Sequence, residues 1–133
     1  MFTGEADGSK KTYGWAVSPF EPCALLRVFE SAIDAMSFMT IEKMNGNDWH
    51  NAHYLSIGGL VPSPIIHFLR TYKEIETVEF CFDNDPAAQK FIQNFSRQFA
   101  DKSITWNPRI PTAKDWNEQL QLLLQSAESL KGD

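Results

Sequence analysis

At 133 residues the chain has room for one domain, and a composition 43% hydrophobic and 13% aromatic supplies a core, which excludes a disordered segment. A formal charge of −5 argues against gripping DNA through its own field, so a nucleic-acid role requires bound cations or basic neighbours outside the chain. No apolar run has the length of a membrane span and Met1 to Glu5 do not begin a signal peptide, so a cytoplasmic protein with no membrane partner is expected.

The first two dozen residues are polar and glycine-containing. Tyr13 to Val17 then makes a short strand-like piece ended by Pro19 and Pro22, so residues 1–22 are expected to be an entry arm or hairpin and residues 23–133 the domain proper. Leu25 to Phe29 is a brief apolar run of buried-strand character, stopping at Glu30-Ser31. Ile33, Met36, Ser37, Thr40, Ile41 and Met44 recur at helical spacing, which predicts a helix over Ala32 to Met44, closed by Asn45 to Asp48.

Tyr54 to Ile57 is the next strand, ending in Gly58-Gly59, and a helix opens near Pro62 or Pro64. Thr77 to Phe82 follows as a strand with Asp83-Asn84-Asp85-Pro86 directly behind it. Ala88, Phe91, Ile92, Phe95 and Phe99 form the stripe of a helix. Ile104 to Trp106 is a fourth short strand, broken by Pro108 and Pro111, and a last helix carries Trp116, Leu120, Leu123, Leu124, Ala127 and Leu130. Two distant cysteines without a C-x-x-C partner and three scattered histidines suggest neither a disulfide nor a zinc site, and Cys81 reads as a small buried thiol. The four tryptophans are scattered without interleaved basic residues, so packing is a better account of them than base stacking.

Strands alternating with helices at this spacing predict right-handed βαβ units, a parallel sheet covered on both faces, and all strand C-termini on one edge. With a doubly wound order, Glu30 after the first of these strands and Asp83 and Asp85 after the third converge on one crevice. Three carboxylates so close repel unless a divalent cation neutralises them, and Mg²⁺ suits a site that keeps waters and accepts substrate phosphates. Each residue also has a plain structural account. Asp85 before Pro86 makes a natural helix N-cap, Asp83 a solvated loop residue, and Glu30 a favourable charge near a helix N-terminus. Jointly, at two strand ends on one edge, metal binding explains them better. Asp34, one turn beyond Glu30, is equally readable as support for the site or as an exposed helix residue.

Glu30-Ser31-Ala32-Ile33-Asp34 resembles the E-G-x-x-D motif of Toprim domains, and Asp83-Asn84-Asp85-Pro86-Ala87-Ala88 resembles their D-x-D-x-A-G motif. Gly58-Gly59 is similar to the glycine turn after the family's second strand. Pro111 to Glu118 resembles the P-x-x-K-D-W-N-E ending of Toprim domains in plasmid and mobile-element primases, where they often follow a region of unknown function called DUF3991. The lead-in from Gly4 to Val17 also resembles the segment before the Toprim core in those proteins. Ser31 and Ala88 stand where the family has glycines.

The resemblance implies a three-layer, Rossmann-like α/β fold with a four-stranded, mainly parallel sheet. It also implies nucleotidyl-transfer chemistry on nucleic acid with Mg²⁺, or Mn²⁺ in its place, inside a larger DNA primase. Asp83 and Asp85 would hold metal, and Glu30 would bind metal or act as general acid or base toward a 3′ oxygen. Lys114 and Asp115 are secondary candidates beside Asp34. Lys114 would meet a phosphate, and Asp115 would extend the metal site or simply cap the last helix in a capping box with Glu118. Asn117 reads as no more than a first-turn polar residue. Gly58 and Gly59 form a candidate phosphate loop, or only a tight turn. Three alternatives remain open: a Toprim nuclease, a phosphoacceptor domain of receiver type, and a non-catalytic interaction domain on the same fold. The receiver pattern has its acidic pair after the first strand, the reverse of the order here.

Overall fold

The computed structural model describes residues 15–99 and 103–131, with side chains to residue 128. The expected arm before Trp15 lies outside the described residues. The elements are β1 (Trp15–Val17), β2 (Leu25–Phe29), α1 (Ala32–Met44), β3 (His53–Ser56), α2 (Ser63–Thr71), β4 (Thr77–Phe80), α3 (Pro86–Gln98), β5 (Thr105–Pro108) and α4 (Trp116–Lys131).

They build one five-stranded sheet in the order β1-β3-β2-β4-β5. β3, β2, β4 and β5 are mutually parallel, with Val28 level with Leu55 on one side and Phe80 on the other. β1 pairs antiparallel with β3, Trp15 facing Ser56. The piece expected as an arm or hairpin is therefore a fifth, edge strand, paired across a long separation rather than with its neighbour in sequence. β5 runs through Pro108, which the sequence reading placed beyond the strand. An edge strand tolerates a residue without an N–H, because one of its sides has no ladder to complete.

The order of strands decides which face each helix covers. The chain steps from β2 to β3 in one direction, then back across β2 to β4 and on to β5. Right-handed crossovers thus put α1 on one face and α2 and α3 on the other. α4 follows β5 and returns to the α1 face. The packing agrees: Leu26, Val28, Leu55, Val78 and Phe80 meet Ile65, Phe68, Ile92 and Phe95 of α2 and α3. On the opposite face Phe29, Tyr54 and Cys81 meet Phe38 and Ile41 of α1 and Trp116 of α4. Phe38 sits edge-on to Trp116 at 4.8 Å and to Phe29 at 5.4 Å, fixing both helices to the sheet.

Central strand β2 carries one cation into this second face. Arg27 donates to Glu79 Oε1 at 2.8 Å and to the Tyr54 hydroxyl at 2.9 Å, with Glu42 at 3.7 Å and the Phe38 ring beneath its guanidinium. A charge this enclosed persists only with such partners.

Candidate metal centre

From β2 the chain passes to β3 on one side and from β4 to β5 on the other, and this switch leaves a crevice at the C-terminal ends of β2 and β4, where open α/β sheets bind their ligands. A cleft of about 610 Å³ opens there, lined by Glu30, Ser31, Ile33, Asp34, Ser56, Gly58, Gly59, Asp83, Asp115 and Asn117.

Of the three residues expected to form the centre, only Asp83 stands in the tightest carboxylate cluster. Asp34, Asp83 and Asp115 each bring one oxygen within 4.8 Å of the others. Two of these were secondary candidates. Glu30 turns its Oε2 to the backbone N–H of Asp83 at 2.9 Å, so it braces the β4 turn from the β2 side. Asp85 is the N-cap of α3, accepting from the Ala88 N–H at 2.8 Å with Pro86 in the first turn, and it does not line the cleft. Its capping role was legible locally.

Asp34 is buried and held from two sides. Ser31, the N-cap of α1, donates its hydroxyl to Asp34 Oδ2 at 2.9 Å and accepts from the Asp34 N–H at 3.3 Å. The N–H of Asn117 at the start of α4 donates to Asp34 Oδ1 at 3.0 Å, while Asn117 Oδ1 accepts from Ser37 at 3.3 Å. Ser31 and Asn117 were not expected as supports. The S-x-x-D spacing of a capping box gave a signal for the first, but nothing local marked the second.

Asp115 caps α4, accepting from the Glu118 N–H at 2.8 Å, and Glu118 Oε2 accepts from the Lys114 N–H at 3.2 Å. The capping account and the cleft account hold together, since one oxygen is given to the cap and the carboxylate still joins the cluster. The segment before it is tied to the β4 turn. Asn84 donates its N–H to the Lys114 carbonyl at 2.8 Å and its side-chain amide to the Pro111 carbonyl at 3.1 Å. The Lys114 side chain is exposed, lies outside the cleft lining and has no ion pair among the described residues. Gly58 and Gly59 form the lip with φ of +68° and +133°, which favours glycine at both. The Gly59 N–H is already bonded to the Glu30 carbonyl at 3.1 Å.

Burial, and then the charges of Glu30, Asp34, Asp115 and Asp85, push the Asp83 carboxyl up to about 7. Burial also raises Glu30 above its ordinary value, opposed by its bond from the Asp83 N–H and reinforced by Asp85, Asp34 and Asp115. Like charges are thus compressed here, which a cation would relieve. The donor set, three carboxylates, has the chemistry of a site for a hard divalent cation such as Mg²⁺. Carboxylate oxygens are its preferred ligands, and two of them on one ion lie about 2.9 Å apart when adjacent and about 4.2 Å when opposite. Oxygens within 4.8 Å need only small rotations to meet that spacing.

Comparison with known proteins follows the same lines. A family model described as Toprim-like matches residues 27–120. An uncharacterised protein of Bacillus anthracis is 30% identical over 135 aligned residues, covering 90% of this chain and 38% of the relative. The crystal structure of the primase fragment of the bacteriophage T7 primase-helicase protein superposes with a TM-score of 0.53 at 18% identity, over 80% of this chain and 42% of that one. That likeness is one of fold. The chain spans less than half the length of either protein.

Proposed function

The chain belongs to the Toprim-like family, and on that footing we propose that it is the Mg²⁺-dependent catalytic module of a larger cytoplasmic enzyme that joins nucleotides on nucleic acid, a mobile-element DNA primase. The reading rests above all on three carboxylates from α1, the turn after β4 and the α4 cap sharing one cleft, where burial and then the neighbouring charges push Asp83 up to about 7.

Asp34, Asp83 and Asp115 would hold the ion. Bound there, Mg²⁺ supplies charge neutralisation at a phosphoryl oxygen and a fixed point for aligning attack on it. Ser31 and Asn117 keep the Asp34 oxygens aimed, which spares the site reorganisation when substrate arrives. Glu30, anchored through one oxygen and raised by burial, is suited to exchange a proton with a 3′ hydroxyl at the cleft. Asp85 acts indirectly, fixing α3 and adding negative field at Asp83. Gly58 and Gly59 present no side chain at the lip, and a Cβ at either meets nothing within 4 Å, so a phosphodiester backbone has free access there. The net charge of −5 suits template binding by basic domains elsewhere in the parent.

Primer synthesis by the parent protein, with and without the Asp83→Asn, Asp115→Asn pair, tests the reading. The pair abolishes Mg²⁺-dependent synthesis. Unchanged synthesis defeats it, and strand scission in place of synthesis identifies the nuclease alternative, which employs the same residues.

A further inference from the structure

At the edge of the sheet opposite the carboxylates, the C-terminal ends of α2 and α3 diverge over the start of β4 and β5. A second cleft of about 700 Å³ opens between them. Its floor is apolar, built from Ile66, Leu69, Phe95 and Trp106, and its rim carries Arg70 and Lys73. Phe95 is buried and sits edge-on to Trp106 at 5.3 Å. The Trp106 Nε1 is enclosed without a hydrogen-bond partner among the described residues, although a buried indole N–H usually finds one. Arg70 and Lys73 are exposed and have no ion pair among the described residues.

A helix C-terminus draws a cation by its dipole, which accounts for Arg70 in the last turn of α2. It does not account for Lys73, beyond the helix, or for an apolar floor left open between helices. On a chain of net charge −5, two cations without an ion pair among the described residues flank this floor. The geometry points to a docking groove for an acidic peptide segment that inserts one bulky apolar side chain between α2 and α3 and sets its carboxylates against Arg70 and Lys73. Apolar anchoring in a pocket supplies affinity and complementary charge supplies selection. Nucleic acid fits less well. Single strands stack bases on open ring faces, whereas Phe95 is covered, and two cations are too few to follow a phosphate backbone. This groove is independent of the chemistry assigned to the opposite edge.

The probe is a fluorescein-tagged peptide of aspartates flanking a Phe-Leu pair, titrated into the whole chain by anisotropy. The indole resonance of Trp106 is followed by NMR in parallel. Saturable binding is expected, with the Trp106 indole signal shifting and affinity falling about tenfold or more in the Arg70→Glu, Lys73→Glu protein. A matching loss is expected when serines replace the Phe-Leu pair. Both substituted residues are exposed, so the variant should melt cooperatively and only slightly below wild type, the small loss coming from the reversed charge at the α2 C-terminus. This melting curve serves as the control on folding. The inference is overturned if no binding is seen, if charge reversal leaves affinity unchanged, or if a lysine version of the peptide binds as well. It is also overturned if an oligothymidylate or ATP moves the Trp106 signal at lower concentration, or if the free chain self-associates through this face in sedimentation.

Discussion

Replacing Asp83 by asparagine keeps the shape of the side chain and removes the charge on which the cleft converges. In the folded chain this carboxyl sits at about 7, against about 3.9 when unfolded. Between those values the folded state binds more protons, so this group's contribution is fully present below about 4 and is lost as pH rises through about 7. The full difference of about 3 pH units corresponds to about 4 kcal/mol. Screening in a cleft open to solvent reduces it to about 1–2 kcal/mol. Urea denaturation in EDTA is the assay, with wild type and Asp83→Asn compared at each pH between 4 and 8.5. Comparison at equal pH also cancels His53, whose burial lowers its pKa and gives a slope of opposite sign, with stability lost as pH falls through its folded value. The variant should match wild type at the acidic end and gain about 1–2 kcal/mol at the alkaline end. Millimolar Mg²⁺ should erase or invert that gain. A variant that is less stable in EDTA at pH 8, or a gap that ignores pH, refutes the crowding of charge at this position.

Four further outcomes follow from the packing. Ser31→Ala removes the α1 cap and one support of Asp34, and should cost about 1 kcal/mol in thermal denaturation and weaken Mn²⁺ binding, read by electron paramagnetic resonance, about 10–100-fold. Phe38→Ala empties the contact between α1, α4 and the sheet and should cost about 3–5 kcal/mol in urea. Arg27→Met leaves Glu42 without its cation and Glu79 with only Arg109 at 3.8 Å, and should cost about 3 kcal/mol in urea denaturation at neutral pH. Gly58→Ala meets no steric obstacle yet must adopt φ of +68°, so about 1 kcal/mol of strain-derived loss in stability is expected in urea denaturation, with Mn²⁺ affinity retained.

Much of the fold was legible because its signals are local and periodic. The helix over Ala32 to Met44 matches α1 residue for residue, and the alternation of strand and helix pointed to a parallel sheet, in which the supposed doubly wound order with β2 and β4 adjacent is the one found. β1 was harder to read. Three residues carry no period, and their partner β3 lies far along the chain. Within the site, strand-end position pointed to Glu30, Asp83 and Asp85, but it could not say where each carboxylate turns. The cap geometry of Asp85 follows from its neighbours alone, whereas the approach of Asp34 to Asp115 depends on α4 crossing to the α1 face after β5. Asn117 lies 83 residues from Asp34, and no spacing rule links them.

The origin of Asp115 also bears on synthesis of the protein at the ribosome. Asp34 and Asp83 belong to elements that pair early in the chain, while the third carboxylate arrives only with α4, which also carries Trp116 onto Phe38. A nascent chain halted before Pro111 would lack the Trp116 cover over Phe38 and one wall of the acidic cleft. The third carboxylate and the cover over Phe38 therefore arrive in the same late step, so a truncated product lacks both.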